Sequence, residues 1–407
     1  MSTRMAALAA AMFCLSTSIA PAAEPAPLKV TVTNGPVQRE LPIVRFELPA
    51  EWARQTFDVV ELRGDAATCP VQPDTDAGAN VVCWRANKPV GPHETVTFEL
   101  RPNPHVESRD VVSARIDAQG VTLAGGKHNI VQYNVRTVDP PEGVPAVYRR
   151  SGHLHPVWTP SGRIVTAEFP ADHIHQHAMF SAWVNTEFDG RKTDFWNQGG
   201  KTGTVVHRDL KETDVGPVFA QFTTLLEHQA LTDGTSPRPA ILETMRVRGY
   251  ASPRPELNVF DVELEQRAAS EIPLKVLKYH YGGFAVRGAS EWFQQPESNM
   301  LTSEGKNQKD GNETRPKWVN MHGLIDGQRC GITVIPHPGS DRSPQPVRLH
   351  PSKPYFVFSP PILGEFEITQ EQPYRAQYRI VVHDGPADPK LFDRMAAEYG
   401  DPLTASR

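Results

Sequence analysis

The sequence is poor in cysteine, with 4 in 407 residues, and no two of them form a C-x-x-C pair. That excludes zinc ribbons and thioredoxin-type redox motifs. Beyond the N-terminal leader there is no run of about eighteen apolar residues, so no transmembrane helix is expected. Lys and Arg are scattered through a chain of net charge −5. Phosphate recognition needs clustered cations, so nucleic-acid partners are not expected. No glycine-rich phosphate loop lies in a βαβ context, which argues against nucleotide and other dissociable organic cofactors. The H-E-x-x-H metalloprotease motif is missing too, because Ile174 stands where its glutamate would be.

What the chain does have begins with an address. "MSTRMAALAAAMFCLSTSIAPAAEPAP" gives Arg4, a short apolar run and then Ala20-Pro21-Ala22, the pattern of a cleavable secretory signal over residues 1–22. A periplasmic or secreted protein is the expectation. Cys14 follows Phe13 rather than a small residue, so no lipid anchor is read there. Cys69 and Cys83 bracket a turn-rich segment. In an oxidising compartment they could pair, and a loop of that length would gain roughly 3 kcal/mol. Cys330 heads an apolar run and reads as a buried thiol.

The 38 prolines are spread throughout and break up any long helix. Between them, "KVTVTNG", "IVRFELP", "FDVVEL" and "TVTFELRP" alternate with period 2, predicting a small β-sandwich over residues 28–105. "VSARIDAQGVTLAGGKHNIVQYNV" and a Pro-rich stretch read as the crossing into a larger domain over residues 110–400. There "GPVFAQFTTLLEHQAL", "ILETMRVRGYA", "NVFDVELEQRA", "QRCGITVIPHP" and "YRAQYRIVVHDG" are long strand candidates. Only "DPKLFDRMAAEYG" reads as helix. The fold class is all-β, a small N-terminal β-sandwich followed by a large antiparallel β-sandwich.

The segment "FPADHIHQHAMFSAW" sets Asp172 before His173, His175 and His177. On a strand, three alternating imidazoles share one face and converge either on a divalent transition metal or on a polar, metal-free acid/base site. Asp172 would orient one of the rings. Elsewhere, His153 and His155, His280 with Gly282, Gly283 and Arg287, and His322 near Trp318 stand near turns. His337 opens "HPGSDRSPQPVRLHP", which contains Arg348. Imidazole moves protons near neutral pH, and Arg offers rigid forked donors to oxygen. Arg287, His337, His280, His322 and Trp183 are the candidate substrate contacts. The glycine pair 282–283 suggests close backbone approach.

The stretches "HPVWTPSGRIVT", "PADHIHQHAMF", "YGGFAVR", "KWVNMHG" and "GITVIPHPGSDRSPQPVRLHP", in that order across residues 145–385, resemble the PmoA-like family of secreted bacterial proteins. Of that family's Asp-His-x-His-His-Arg motif, Asp172, His173 and His175 match, while Gln176 replaces the next His and His177 follows. The resemblance implies a sandwich like that of galactose mutarotase-type carbohydrate enzymes. The leading expectation is a carbohydrate-active enzyme in which His173 and His175, with Asp172, carry acid/base chemistry. Two alternatives stand beside it. One is a non-catalytic glycan-binding protein using Trp158, Trp183, Trp196 and Trp318 as a platform. The other is a metal-dependent oxygenase or lyase with His173, His175 and His177 as ligands.

Overall fold

The computed structural model describes residues 26–52, 55–104, 111–231 and 236–407; the leader and Cys14 lie outside them. The alternating segments form antiparallel sheets, and among the described residues the one α-helix is Pro389–Gly400. Asp388 caps that helix by accepting from the Leu391 N–H, with Pro389 at its first turn. No described helix is long and apolar enough to cross a membrane.

Two eight-stranded sheets build the larger body. The first runs Val347–Leu349, Tyr355–Phe358, Gly282–Arg287, Met179–Trp183, Leu154–Val157, His128–Asn134, Gly120–Gly125 and Val112–Ile116. The second runs Gly203–Asp214, Phe219–Ala230, Arg238–Tyr250, Leu257–Ala268, Tyr374–Asp384, Gln328–Pro336, Val319–Ile325 and Asn299–Thr302. Val121, Leu123, Phe180 and Trp183 from the first meet Phe222, Met245, Val262 and Ile380 from the second in one shared core. The stretch read as a crossing is itself three edge strands of the first sheet.

A smaller sandwich packs a five-stranded sheet on the three strands Ile43–Glu47, Val81–Arg85 and Val71–Pro73 around Val30, Phe46, Trp84 and Phe98. The outer face of the three-stranded sheet rests on the second large sheet and the helix through Leu41, Val259, Val381 and Phe392. Arg248 pins the two bodies with a bidentate bond to Asp74, at 3.0 and 2.9 Å.

The Cys69–Cys83 pairing that the spacing left open does not occur; both thiols are free and buried. The reason is strand alternation. Trp84 points into the small core, so its neighbour Cys83 points out toward the larger body, whereas Cys69 faces the small core. Burial pushes both thiols up to about 12.

Gly282 and Gly283 both have positive φ, +133° and +119°, at the start of a central strand. A Cβ on Gly283 would lie 2.4 Å from the Phe358 carbonyl oxygen of the next strand. Gly283→Ala is expected to destabilise by about 2–3 kcal/mol, since neither the backbone nor the neighbour can yield. Urea unfolding measures it; an unchanged midpoint would contradict the close approach.

Candidate functional site

Strand pairing in the first large sheet sets the site. At the end of Gly282–Arg287, the Arg287 N–H donates to the Ala178 carbonyl at 2.7 Å. The Ala167 N–H donates to the Arg287 carbonyl at 3.2 Å, and Ala178 N–H to Ala167 at 3.0 Å. Residues 168–177 therefore form a loop closed at its root on one residue's backbone. Within it His173 N–H donates to Pro170 and Gln176 N–H to His173, each at 2.9 Å. His173 and His175 thus sit in consecutive turns while His177 forms a bridge back to Glu168, so the three do not share one face.

The loop's tip folds back onto the side chain of the same arginine. Arg287, 1% exposed, donates to both carboxylate oxygens of Asp172 at 3.0 and 2.8 Å, and to Gln176 Oε1 at 3.0 Å. Lys353 Nζ reaches Asp172 Oδ2 at 3.0 Å from the turn before Tyr355–Phe358. Burial works against ionisation of Asp172, but Arg287 and then Lys353 more than offset it. The carboxyl is held well below the ordinary range. His173 Nδ1 lies 2.9 Å from Lys353 Nζ and 3.1 Å from Asp172 Oδ2. The His175 and His350 rings stand 5.6 and 5.7 Å from His173. Burial, then the neighbouring His173, brings both down to about 4, so both are neutral imidazoles at neutral pH.

His177 belongs to a second, interior cluster. Its Nε2 is 2.8 Å from Gln198 Oε1 and its Nδ1 is 3.8 Å from Glu168, whose Oε1 also meets buried His153 Nε2 at 2.5 Å. Burial opposes the Glu168 charge, yet His153 and His177 hold its carboxyl well below the usual range. Burial lowers His177 to about 3, and His155, bonded to Thr166 Oγ1, to about 4. As a ligand set, His173, His175 and His177 do not converge. Among the described residues no group of three or more His, Cys, Asp or Glu side chains is arranged to hold a metal ion.

Other expectations divide. Arg287 is at the site but committed to Asp172 and Gln176 inside the protein, so it positions the loop instead of meeting substrate. His280 is exposed at the margin, its ring 4.7 Å from that of Tyr281. His322 is on the second large sheet, its Nδ1 2.7 Å from Asn320 Oδ1, outside this cluster. His337 packs against Tyr399 at a separate 190 Å³ cavity between the small sandwich and the second large sheet. Trp183 is fully buried, donating to Gln266 Oε1 at 2.7 Å. Trp196 and Trp318 are buried as well and Trp158 is half-buried, so the four tryptophans form no open platform. Sequence reading missed His350, Lys353 and Tyr281. His350 was in view within "VRLHP", but nothing local tied it to a loop 180 residues earlier.

Two outcomes follow from these charges. Asp172→Asn leaves Arg287 buried without its counter-charge and is expected to cost about 3–5 kcal/mol in denaturant unfolding. A loss under about 1 kcal/mol would sink the pinning role. The lowered histidines His155, His175, His177 and His350 bind protons more tightly in the unfolded chain, at about 6.5, than in the folded one, at about 3 to 4. Their stabilisation is complete above pH 6.5 and is lost as pH falls toward 4. The melting temperature, followed by calorimetry, is expected to drop steadily across that window; a flat profile would refute it.

A solved α-mannosidase from Enterococcus faecalis V583 is similar to the chain at 12% identity and a TM-score of 0.49. The match covers 93% of this chain and 46% of that one, so the chain spans less than half of that protein's length. No curated protein matches the sequence. A family model described as a family of unknown function, DUF6807, matches residues 120–397, which take in nearly all of both large sheets. The chain belongs to the DUF6807 family.

Proposed function

We propose that this protein is a periplasmic or secreted carbohydrate-active enzyme whose acid/base centre is His173 with His175 and His350. One observation carries the reading: His173 Nδ1 is held between a donor, Lys353 Nζ, and an acceptor, Asp172 Oδ2. Bare, that nitrogen accepts from Lys353; protonated, it donates to Asp172. The ring therefore gains and loses a proton without losing its hydrogen-bonded seat, as a general acid/base requires. Asp172 stays ionised and orients the imidazole, while Arg287 holds Asp172.

The neutral rings of His175 and His350 stand ready to accept a proton from a sugar hydroxyl. His173 is the group that returns one to a ring or glycosidic oxygen. Half-buried Tyr281, stacked on Tyr355 at 5.8 Å, offers a flat face beside the centre for the C–H side of a sugar ring. Sugars suit such a site because they present many hydroxyls and one apolar face at once.

His173→Ala and His175→Ala are each expected to lower turnover by about 10²–10⁴-fold while leaving circular dichroism unchanged. Proton NMR of anomeric signals across a panel of sugars and glycosides reads the activity. Lys353→Met is expected to shift the pH profile of turnover, not only its height, because it removes the donor to Nδ1. Full activity in both histidine variants, or no turnover of any panel member by the natural protein, would defeat the proposal.

A further inference from the structure

The chain as a whole is acidic, at −5, yet the surface beside the candidate site is cationic. Two adjoining surface grooves, of 330 and 340 Å³, share Lys192, Thr193 and Thr202. Arg191 and Lys201 line the first of them. Among the described residues no carboxylate pairs with Arg191, Lys192 or Lys201. Glu187, opposite Lys192 on the paired strand, is 3.6 Å from Lys275, and Asp189 is bonded to Arg238 at 2.6 Å. Asp194 accepts from the backbone of Trp196 and Asn197 and from Asn197 Nδ2, at 2.8 to 2.9 Å.

The grooves are joined to the site by rings. Tyr279, 36% exposed, lines the second groove and packs on His280 at 4.2 Å. His280 meets Tyr281 at 4.7 Å, and the Arg348 guanidinium lies 5.3 Å over the Tyr281 ring. Tyr281 packs on the buried Tyr355, which is 6.3 Å from half-buried His350, and His350 is 5.7 Å from His173. Glu313 adds one carboxylate close enough to act on His280, as the Arg348 guanidinium does with opposite sign. The strip therefore alternates flat rings with a surplus of positive charge.

Flat rings take the C–H faces of successive sugar units, while ammonium and guanidinium groups take acidic substituents at their edges. A neutral glycan would leave those cations without partners. We propose that the protein binds an anionic oligosaccharide, built of uronate or sulfated sugar units, along the strip from Lys192 and Lys201 over Tyr279 and Tyr281 to the His173 centre. This rests on the carbohydrate reading of that centre and adds the charge of the substrate. The cationic strip also steers such a chain to the site against the overall negative charge.

Isothermal titration of the full chain with a size-defined oligogalacturonate, a sulfated oligosaccharide and a neutral oligoglucoside tests it. At least one anionic probe is expected to bind about tenfold or more tightly than the neutral one, and to weaken several-fold as salt rises. Which anionic probe binds identifies the acidic group. Lys192→Glu with Lys201→Glu is expected to weaken binding about tenfold or more. Lys29→Glu with Lys390→Glu, the same charge change on the small sandwich and the C-terminal helix, is expected to stay within about twofold. No binding of either anionic probe, equal binding of the neutral one, or equal loss in both double variants would overturn the proposal. Turnover is read separately by NMR. Anionic binding without turnover defeats the catalytic reading alone, and turnover of neutral sugars alone defeats the strip.

Discussion

Arg287 is the constraint on which the site depends. Its backbone closes the root of the 168–177 loop and its guanidinium holds the tip, so one residue fixes both ends of a ten-residue excursion. A guanidinium suits the task because its donors lie in one plane and meet both oxygens of Asp172 at once. The order of causes can be followed backward. Gly283 lets its strand come close to Phe358, which brings Arg287 and Lys353 to the same end of the sheet. Both hold Asp172, and Asp172 with Lys353 holds His173.

Apart from this half-buried centre, the sandwich core carries a polar chain of its own. His228 meets Glu243 at 2.7 Å, Gln266 donates to the same carboxylate oxygen at 2.7 Å, and Trp183 donates to Gln266 at 2.7 Å. It crosses between the two sheets, since Trp183 lies on one and the other three residues lie on the second. Its members are directional, so they fix the relation of the sheets in a way that apolar contact alone does not. A tryptophan that the sequence offers as a sugar platform is in fact a hydrogen-bonded part of this interior brace.

Much of the fold was legible from alternation. Period-2 patterns with Gly and Pro punctuation mark strands directly, and the capped, proline-led C-terminal helix stands out among them. The site was legible only where its parts are neighbours in sequence: Asp172, His173 and His175 fall in one segment. Lys353 and His350 arrive from a distant turn, and only sheet order brings them near. His177 was misplaced because alternation was read as a strand where the chain instead turns twice and buries that ring. Sheet order put His322 on the second large sheet and His337 at a separate cavity, while Trp183 is buried in the core, and neither placement leaves a local mark in the sequence. The Cys69–Cys83 pairing, open on spacing alone, is the opposite case, since alternation along Val81–Arg85 already puts Cys83 and Trp84 on different faces.

The strand Thr404–Ser406 pairs with Leu28–Thr33, and Leu403 enters the small core. A sheet begun by residue 28 thus receives its edge strand only when residue 404 has been made. During synthesis the first domain to emerge must wait, with that edge open, for the last strand of the chain. The small sandwich then acts as a clasp. It can be completed only after the larger body has been synthesised, and it joins residues 28–33 and 404–406 in one sheet.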